Sequence, residues 1–243
     1  MASQLKHQHR SQSSSQSSTQ SSTQSSTQSS HQKSDPRHQL ILFRHATRAS
    51  HFDSDTTLSA FGLAQAAAAP SLFELNSFGS SDGSFGSFGS SGLSDGQCRE
   101  GVGLPQPQEI FCSPKVRAQQ TVSPLADFLK LTVQLDERLD ERHSHESRAT
   151  FESRIRSFLA EIEEKFHSSQ TCHAELNEQK LQLAQTVVAC SHMDWLETIL
   201  PLMNSNLTEV ELTQLWAAGE FRSLHWHPEG PWELGRVGVL LGG

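Results

Sequence analysis

The sequence predicts an α/β fold in which helices pack against a largely parallel β-sheet. Short apolar runs typical of buried strands alternate with longer helix-type segments along the chain. Near the carboxyl end, two further strand candidates follow each other and resemble an antiparallel edge of the same sheet. The chain has 243 residues, enough for one large domain or two small ones. One compact domain remains once two compositionally biased segments are set aside.

The biased segments are predicted not to contribute to the core. Residues 11–30 are entirely Ser, Gln and Thr, so they offer almost no apolar surface to offset backbone entropy, and we predict a disordered tail over residues 1–37. A Gly/Ser-rich stretch at 79–92 predicts a surface loop inserted at about 76–104 of the folded domain, which spans residues 38–243.

Composition excludes several classes of protein. The formal net charge of −8, with basic residues spread along the chain, argues against a general nucleic-acid binder. We find no signal-peptide pattern after the first ten residues and no apolar run of about 20 residues, as a membrane-spanning helix requires. The four cysteines form no CxxC motif, and two of them lie in strand candidates, which favours buried free thiols. These features predict a cytoplasmic protein with no membrane partner.

The strand candidates can be placed individually. They are QLILF (39–43), EIFC (109–112), LTVQL (131–135), TVVAC (186–190) and the C-terminal pair FRSLHWH and ELGRVGVLL. Trp226 and Trp232 in and beside that pair are interpreted as packing residues.

The helix candidates are placed by their caps and periodicity. The segment 58–73 has Thr57 or Ser59 as a possible N-cap and is broken at Pro70. In SPKVRAQQTVSPLADFLKL, Ser113 suits an N-cap and Pro114 the first helical position. The clearest amphipathic helix starts at Phe151, because its apolar residues fall at offsets 0, 4, 7, 8, 11 and 15. Two further helices are predicted from HMDWLETILPLM and TEVELTQLWAAG.

Unusual polar residues follow three of the predicted strands. Since ligands bind outside the carboxyl ends of strands in open α/β sheets, these residues predict one shared site. Arginines, histidines and helix N-termini together suit a compact dianion such as phosphate. The residues are Arg44, His45 and Arg48 after the first strand, Ser113 and Arg117 after the second, and Ser191 and His192 after the fourth.

These residues also resemble a known family. LILFRHATR is similar to the Arg-His-Gly motif of the histidine phosphatase superfamily, and LSAFGLAQA to the helix that follows it. CSPKVRAQQT resembles that family's Ser-x-x-x-Arg-Ala-x-Gln-Thr segment, VVACSHMDWLETIL its second-histidine strand, and LDERHSHES its Leu-x-Glu and Gly-Glu-Ser segments. The resemblance implies a phosphoglycerate mutase-like fold, a three-layer α/β/α sandwich around the largely parallel sheet.

The resemblance also implies a role for each matched residue. His45 would be the nucleophile that forms a phosphohistidine, while Arg44, Arg117 and His192 would hold the phosphoryl oxygens. Glu141 would protonate the leaving oxygen, with Glu137 as the alternative. We also expect Arg48 and Ser113 to bind phosphate or, for Ser113, to cap the helix of Arg117.

The chemistry explains these residue types without a metal or cofactor. Arginine stays cationic beside a histidine that must be neutral to attack, provided that the other ring nitrogen is held as an N–H donor, for instance by a backbone carbonyl. The pairs His143/His145 and His225/His227 could chelate zinc, but no cysteine or carboxylate pattern completes such a site, so we assign no metal.

Departures from the family pattern bear on the activity. Ala46 stands where Gly is usual, and Met193 follows the second histidine where Gly is common. Arg48 replaces a small hydroxyl residue and favours a phosphatase over a phosphoglycerate-type mutase. We therefore expect a phosphatase acting on a small phosphorylated substrate, a sugar phosphate or a protein phosphohistidine. A mutase and a catalytically silent phospho-ligand scaffold remain alternatives, and the sequence does not determine the oligomeric state.

Overall fold

The computed structural model of the protein describes residues 38–50, 56–74, 103–174, 184–203 and 205–241, without the side chains of 170–174. The predicted tail (1–37) and most of the predicted insertion (76–104) lie outside these residues. At the end of the insertion, Leu104 is buried and its N–H donates to the carbonyl of Leu72 at 2.8 Å.

A central sheet of six strands confirms the predicted α/β class. The strand order is β3-β2-β4-β1-β5-β6. The first four strands in this order are parallel, while β5 runs antiparallel to β1 and β6 antiparallel to β5, as predicted for the C-terminal pair. The strands are β1 (His38–Arg44), β2 (Glu109–Cys112), β3 (Val133–Leu135), β4 (Thr186–Ser191), β5 (Glu220–Trp226) and β6 (Glu233–Val239).

Helices cover both faces of the sheet, which gives the three layers that the resemblance implied. The helices are α1 (Ala60–Ala67), α2 (Val116–Leu129), α3 (Arg148–Ala174), α4 (Met193–Leu202) and α5 (Glu209–Thr213). Along β1, Leu40 and Leu42 pack with α3 and α4, whereas Ile41 and Phe43 pack with α2 on the opposite face. This alternation follows from the two-residue period of a strand, and it makes β1 a central strand buried on both faces.

The amphipathic helix is confirmed as α3. All six apolar residues that predict it are buried against the sheet and α4. The helix begins at Arg148 because the Ser147 hydroxyl accepts from the N–H of Thr150 at 3.1 Å and so satisfies one of the free donors of the first turn. None of the described helices is long and apolar enough to cross a lipid bilayer.

The predicted start of α2 is wrong by two residues. Ser113 is not its N-cap, and Pro114 lies outside the helix, which begins at Val116 after Lys115. The reason is that Ser113 continues the strand: its N–H donates to the Cys190 carbonyl at 3.0 Å and extends the ladder beyond β2.

The predicted helix in TEVELTQLWAAG is real but short. It begins at a capping box, in which Thr208 and Glu211 satisfy each other's N–H groups, and ends at Thr213. Trp216 is almost fully buried in the core, and the backbone leaves the helix to place it there. For α1, Ser59 is the N-cap and Pro70 lies in a 3₁₀ turn after the helix, as expected.

Candidate active site

The sheet register brings three of the predicted polar segments to one edge. Arg44 pairs with Ser191 at the ends of β1 and β4, and Cys112 pairs with Cys190 at the ends of β2 and β4. The residues that follow these strands therefore meet. The rings of His45 and His192 lie 5.2 Å apart between centroids.

His45 is buried and held in a single tautomer by the backbone. Its Nδ1 lies 2.8 Å from the carbonyl oxygen of Ala46. A carbonyl can only accept, so Nδ1 carries the proton and Nε2 keeps its lone pair. Burial, with the charges of Arg117, Arg44 and Arg48, lowers the pKa of His45 to about 3, so the ring is neutral around pH 7.

His192 has the opposite tautomer. Arg117 has no acceptor, so its Nη2 donates to His192 Nδ1 across 3.0 Å, and the proton of the ring must be on Nε2. That Nε2–H donates to the Ser113 hydroxyl at 2.8 Å. Burial, the nearby His45 and the charge of Arg117 lower the pKa of His192 to about 2.

Arg117 joins His192 to Glu141. Its guanidinium is fully buried, and the same Nη2 donates to a Glu141 carboxylate oxygen at 2.7 Å. The Glu141 side chain is 30% exposed, so it lies at the border between the buried site and solvent. Glu137, the alternative acid, is exposed on a 3₁₀ turn, and the described contacts of Arg117 and His192 do not include it.

Arg44 and Arg48 add positive charge around His45. Arg44 donates to the carbonyl of Trp216, and its Nε is buried without a hydrogen-bond partner among the described residues. Burial and the charge of Arg48 lower the pKa of Arg44, while Glu197 and Glu220 oppose this shift. Arg48 is half-buried and forms an isolated antiparallel bridge with Leu58.

Ser113 is placed differently from a simple phosphate ligand. It is fully buried, and besides accepting from His192 its hydroxyl accepts from the N–H of Lys115 at 3.3 Å and faces Asp140 Oδ1 at 3.4 Å. The hydroxyl therefore sits between the second histidine and a buried carboxylate.

Two charged residues beside Ser113 were not predicted from the sequence. Asp140 is buried and lies 3.6 Å from Lys115 Nζ and 3.6 Å from His192 Nε2, measured from its two oxygens. Lys115 in turn contributes to lowering the pKa of His192. Both precede a residue that was singled out, Asp140 directly before Glu141 and Lys115 two positions before Arg117, but nothing in the sequence distinguishes them from solvated charges.

Gln65 was also missed, and it explains the helix motif after the first histidine. Its Oε1 accepts from Thr47 N–H and hydroxyl at 3.0 and 2.8 Å, while its Nε2 donates to the carbonyls of Ala218 and Leu240. Gly62 is required in the same motif because a Cβ there would collide with the Thr47 carbonyl. The helix α1 thus fixes the loop that carries His45.

Ala46 and Met193, the two residues that stand where the family pattern has Gly, differ in their exposure. Ala46 is fully buried beside Leu58, and its N–H donates to the Thr121 hydroxyl at 2.9 Å. The extra Cβ is therefore accommodated, and the N–H is already used by the protein. The Met193 side chain is 39% exposed at the start of α4.

The histidine pairs do not gather into a metal site. Within the described ranges, no three His, Cys, Asp or Glu side chains converge as they would around a metal ion. The rings of His143 and His145 stack at 5.6 Å, and His227 faces Glu233 at 3.6 Å. Of the four cysteines, Cys112 and Cys190 are described, and both are buried free thiols.

The six-stranded sheet with its covering helices has the phosphoglycerate mutase-like α/β fold of the solved structures compared below. The model of the histidine phosphatase superfamily (branch 1) matches residues 103–185. This stretch contains Ser113, Arg117 and Glu141, whereas both site histidines lie outside it. The resemblance to the histidine phosphatase superfamily is thereby confirmed.

Solved structures show the same fold at low sequence identity. A mycobacterial glucosyl-3-phosphoglycerate phosphatase is 18% identical with a TM-score of 0.53, over 85% of this chain and 100% of that one. A putative α-ribazole-5′-P phosphatase from Escherichia coli K-12 is 16% identical with a TM-score of 0.55, over 85% and 99%. The protein histidine phosphatase SixA, complexed with tungstate, is 13% identical with a TM-score of 0.51, over 83% and 96%. No curated protein sequence matches significantly.

Proposed function

We propose that the protein is a phosphatase that cleaves phosphomonoesters or phosphohistidine through a phosphohistidine intermediate on His45. The observation that carries this proposal is the tautomer of His45. Its Nδ1–H is held by the Ala46 carbonyl, so the lone pair of Nε2 belongs to a neutral nucleophile surrounded by arginines.

The proposed first step transfers the phosphoryl group. His45 Nε2 attacks phosphorus in line, a new N–P bond forms, and the bond from phosphorus to the leaving atom breaks. That atom is the ester oxygen of a phosphomonoester or the ring nitrogen of a phosphohistidine, and Glu141 gives its proton to it. In the second step the Glu141 carboxylate takes a proton from water, the resulting hydroxide equivalent attacks phosphorus, the N–P bond breaks, and inorganic phosphate leaves with His45 neutral again.

The arginines supply the electrostatic stabilisation. The guanidinium groups of Arg44 and Arg117 border the ring of His45 and would hold the phosphoryl oxygens, whose charge grows in the transition state. Arg48 adds to the same positive field. Both ring nitrogens of His192 are bonded, to Arg117 and to Ser113, so His192 would act by orienting the Arg117 guanidinium. We assign no cofactor, since the cations of the chain itself can neutralise the phosphate.

Glu141 must change partner during this cycle. Without substrate it is ion-paired with Arg117 at 2.7 Å. A bound phosphoryl dianion competes for the same guanidinium. Glu141 is then released toward the leaving group, to which it gives its proton in the first step.

The substrate belongs to one of two classes that the similar structures suggest. One is a phosphorylated sugar or sugar acid, the class named for the mycobacterial enzyme, and the other is phosphohistidine on a protein, the class named for SixA. A panel of sugar phosphates, phosphoglycerates, nucleotides and phosphohistidine peptides distinguishes them by the release of inorganic phosphate.

The proposal is tested by trapping the intermediate. Rapid quenching of the wild type with ³²P-labelled substrate should give acid-labile phosphate on the protein, and His45→Ala should give none. His143→Ala removes an exposed histidine and serves as the matched control with wild-type labelling. Labelling followed by transfer to a second phosphoglycerate instead of water would indicate a mutase. Tungstate binding without turnover of any substrate would indicate a scaffold and contradict the proposal.

A further inference from the structure

Arg154, on the second turn of α3, donates hydrogen bonds to backbone carbonyls of the loop that carries Glu141. We refer to residues 137–146 as the 137–146 loop. Nη1 donates to the carbonyl oxygens of Arg138 at 2.9 Å and Asp140 at 2.8 Å, with a longer contact to that of Glu137 at 3.3 Å. Nη2 donates to the carbonyl of Glu141 itself at 2.9 Å.

A buried carboxylate from the same loop completes the environment of Arg154. Nε and Nη2 donate to the two oxygens of Glu146 at 2.9 and 3.0 Å. The Glu146 side chain is 7% exposed and that of Arg154 17%, so water screens this ion pair little. The guanidinium also lies over the Phe151 ring at 4.6 Å, which fixes its plane.

This arrangement depends on the shape of arginine. The guanidinium presents donors in a planar fork, and here they reach both ends of one loop at once, its first residues and Glu146. A lysine ammonium could replace the charge opposite Glu146 but could not reach the same set of carbonyls. The bonds therefore specify the backbone position of the loop as well as its charge balance.

Other side chains also bind this loop: Trp195 Nε1 donates to the carbonyl of Arg138 at 2.6 Å, and the Ser191 hydroxyl donates to that of Leu139 at 2.6 Å. Most of its backbone lies outside helices and strands, apart from the 3₁₀ turn at Glu137–Leu139. The N–H of Arg142 donates to Asp194 of α4 at 2.8 Å, and the N–H of Glu141 donates to the Asp140 carboxylate at 2.8 Å. Arg154 binds the carbonyl oxygens of Asp140 and Glu141 in the same part of the loop.

We propose that Arg154 is a positioning residue that sets the Glu141 carboxyl relative to the phosphate site. This inference rests on the proposed function, in which Glu141 protonates the leaving oxygen. Arg154 itself touches neither the proposed phosphate position nor His45, so its effect is transmitted through the backbone of the loop.

The test uses substrates that need the acid to different degrees. An aryl phosphate such as p-nitrophenyl phosphate has a good leaving group, whereas glycerol 3-phosphate needs protonation of its leaving oxygen. General-acid catalysis contributes about 10²–10⁴-fold, so we expect Arg154→Lys to lose roughly 10- to 100-fold more kcat on glycerol 3-phosphate than on p-nitrophenyl phosphate. In a protein that already carries Glu141→Gln, adding Arg154→Lys should not change the ratio of the two kcat values any further.

Arg138→Lys is the matched control for disturbed ion pairs. Arg138 also makes short ion pairs, with Asp136 and Glu161 at 2.6 Å, but its side chain does not bind the carbonyls of the loop. Its kcat on the two substrates should change by the same factor. Tungstate should raise the thermal unfolding temperature of Arg154→Lys as it does that of the wild type. Such a shift would show that the phosphate site of the variant is folded.

The outcomes separate this inference from the proposed function. Equal losses on both substrates in Arg154→Lys, with tungstate binding preserved, would contradict the positioning role while leaving the phosphatase intact. A further change in the kcat ratio when Arg154→Lys is added to Glu141→Gln would also contradict the positioning role. A wild type that hydrolyses neither substrate and does not bind tungstate would instead overturn the proposed function.

Discussion

Arg117 is ion-paired with Glu141 at 2.7 Å, so in the absence of substrate the proposed acid occupies the cation proposed to bind the phosphoryl group. The same Nη2 also donates to His192. A dianion entering the site therefore competes with a carboxylate that the protein itself supplies. Its binding must alter the charge balance around Glu141.

We predict that an oxyanion competes with Glu141 for Arg117. Removal of the Glu141 carboxylate leaves the guanidinium free to bind the ligand, so Glu141→Gln should bind tungstate more tightly than the wild type does. Isothermal titration calorimetry measures the dissociation constant of each protein.

Glu137→Gln is the matched control for this competition. Glu137 is the exposed acid of the same loop, and the described contacts of Arg117 do not include it, so Glu137→Gln should bind tungstate as the wild type does. Equal affinity of the wild type and Glu141→Gln for tungstate would contradict the competition.

Ser113→Ala should impair both stability and catalysis. The change leaves the buried Nε2–H of His192 without its acceptor, which costs about 1–3 kcal/mol, and it frees the imidazole from its fixed orientation. We expect kcat to fall by roughly tenfold or more, in line with the loss of such a bond. Ser223→Ala is the control, because Ser223 is an equally buried serine of β5 that bonds to Arg236 N–H. Its kcat should stay near that of the wild type even if stability falls.

The two site histidines predict loss of stability in acid. Their pKa values of about 3 and 2 in the folded protein lie below the 6.5 of an unperturbed histidine, so the unfolded chain binds more protons below pH 6.5. The stabilisation is therefore complete above about pH 6.5 and is lost as the pH falls toward 3. Each histidine contributes up to about 1.4 kcal/mol per pH unit to this slope.

Urea unfolding at pH 7, 6 and 5 measures the slope. His192→Gln should reduce the dependence of the free energy of unfolding on pH, because it removes one of the two groups. His143→Gln alters an exposed histidine and should keep the wild-type slope. If His192→Gln also keeps it, His192 is not held neutral in the folded protein.

Gly62→Ala should destabilise the protein although alanine is the better helix former. A Cβ at Gly62 would collide with the Thr47 carbonyl, so α1 must move away from the loop after His45. We expect a cost of about 1–3 kcal/mol, as for other overpacked sites, and a lower kcat because the loop shifts. Ala67→Gly, at an exposed position near the end of the same helix, should cost no more than about 1 kcal/mol and leave kcat unchanged. Thermal unfolding and steady-state kinetics distinguish the two.

Elements with a strong period could be predicted from the sequence. The six apolar residues from Phe151 onward all lie on the buried face of α3, because helix period and core contact coincide there. The convergence of the carboxyl ends of β1, β2 and β4 could also be predicted, because each of these parallel strands is an apolar run in the sequence. The neutral tautomer of His45, held by a backbone carbonyl, also agrees with the sequence-based expectation.

The missed features depend on tertiary contacts that leave no local pattern. Ser113 and Pro114 look like a helix start, but the sheet ladder extends through Ser113 and its hydroxyl serves His192. Arg154 lies in a segment rich in charged residues and looks like a solvated arginine. The partner of Arg154 is Glu146, eight positions earlier, and the hydrogen bonds that lower the pKa of Glu146 form only in the folded protein. The catalytic roles of His45, Glu141 and His192 stay predictions until they are measured.

β1 lies between β4 and β5, hydrogen-bonded on both sides and covered on both faces. Its amides can exchange with solvent only when a large part of the sheet opens, so they should report the slowest hydrogen exchange in the domain. The strand that ends directly before His45 should therefore belong to the part of the domain that opens least often. The 137–146 loop, most of which lies outside helices and strands, should exchange earlier. The proposed nucleophile would thus follow the most persistent strand of the fold, while the backbone next to the proposed acid is held by side-chain hydrogen bonds.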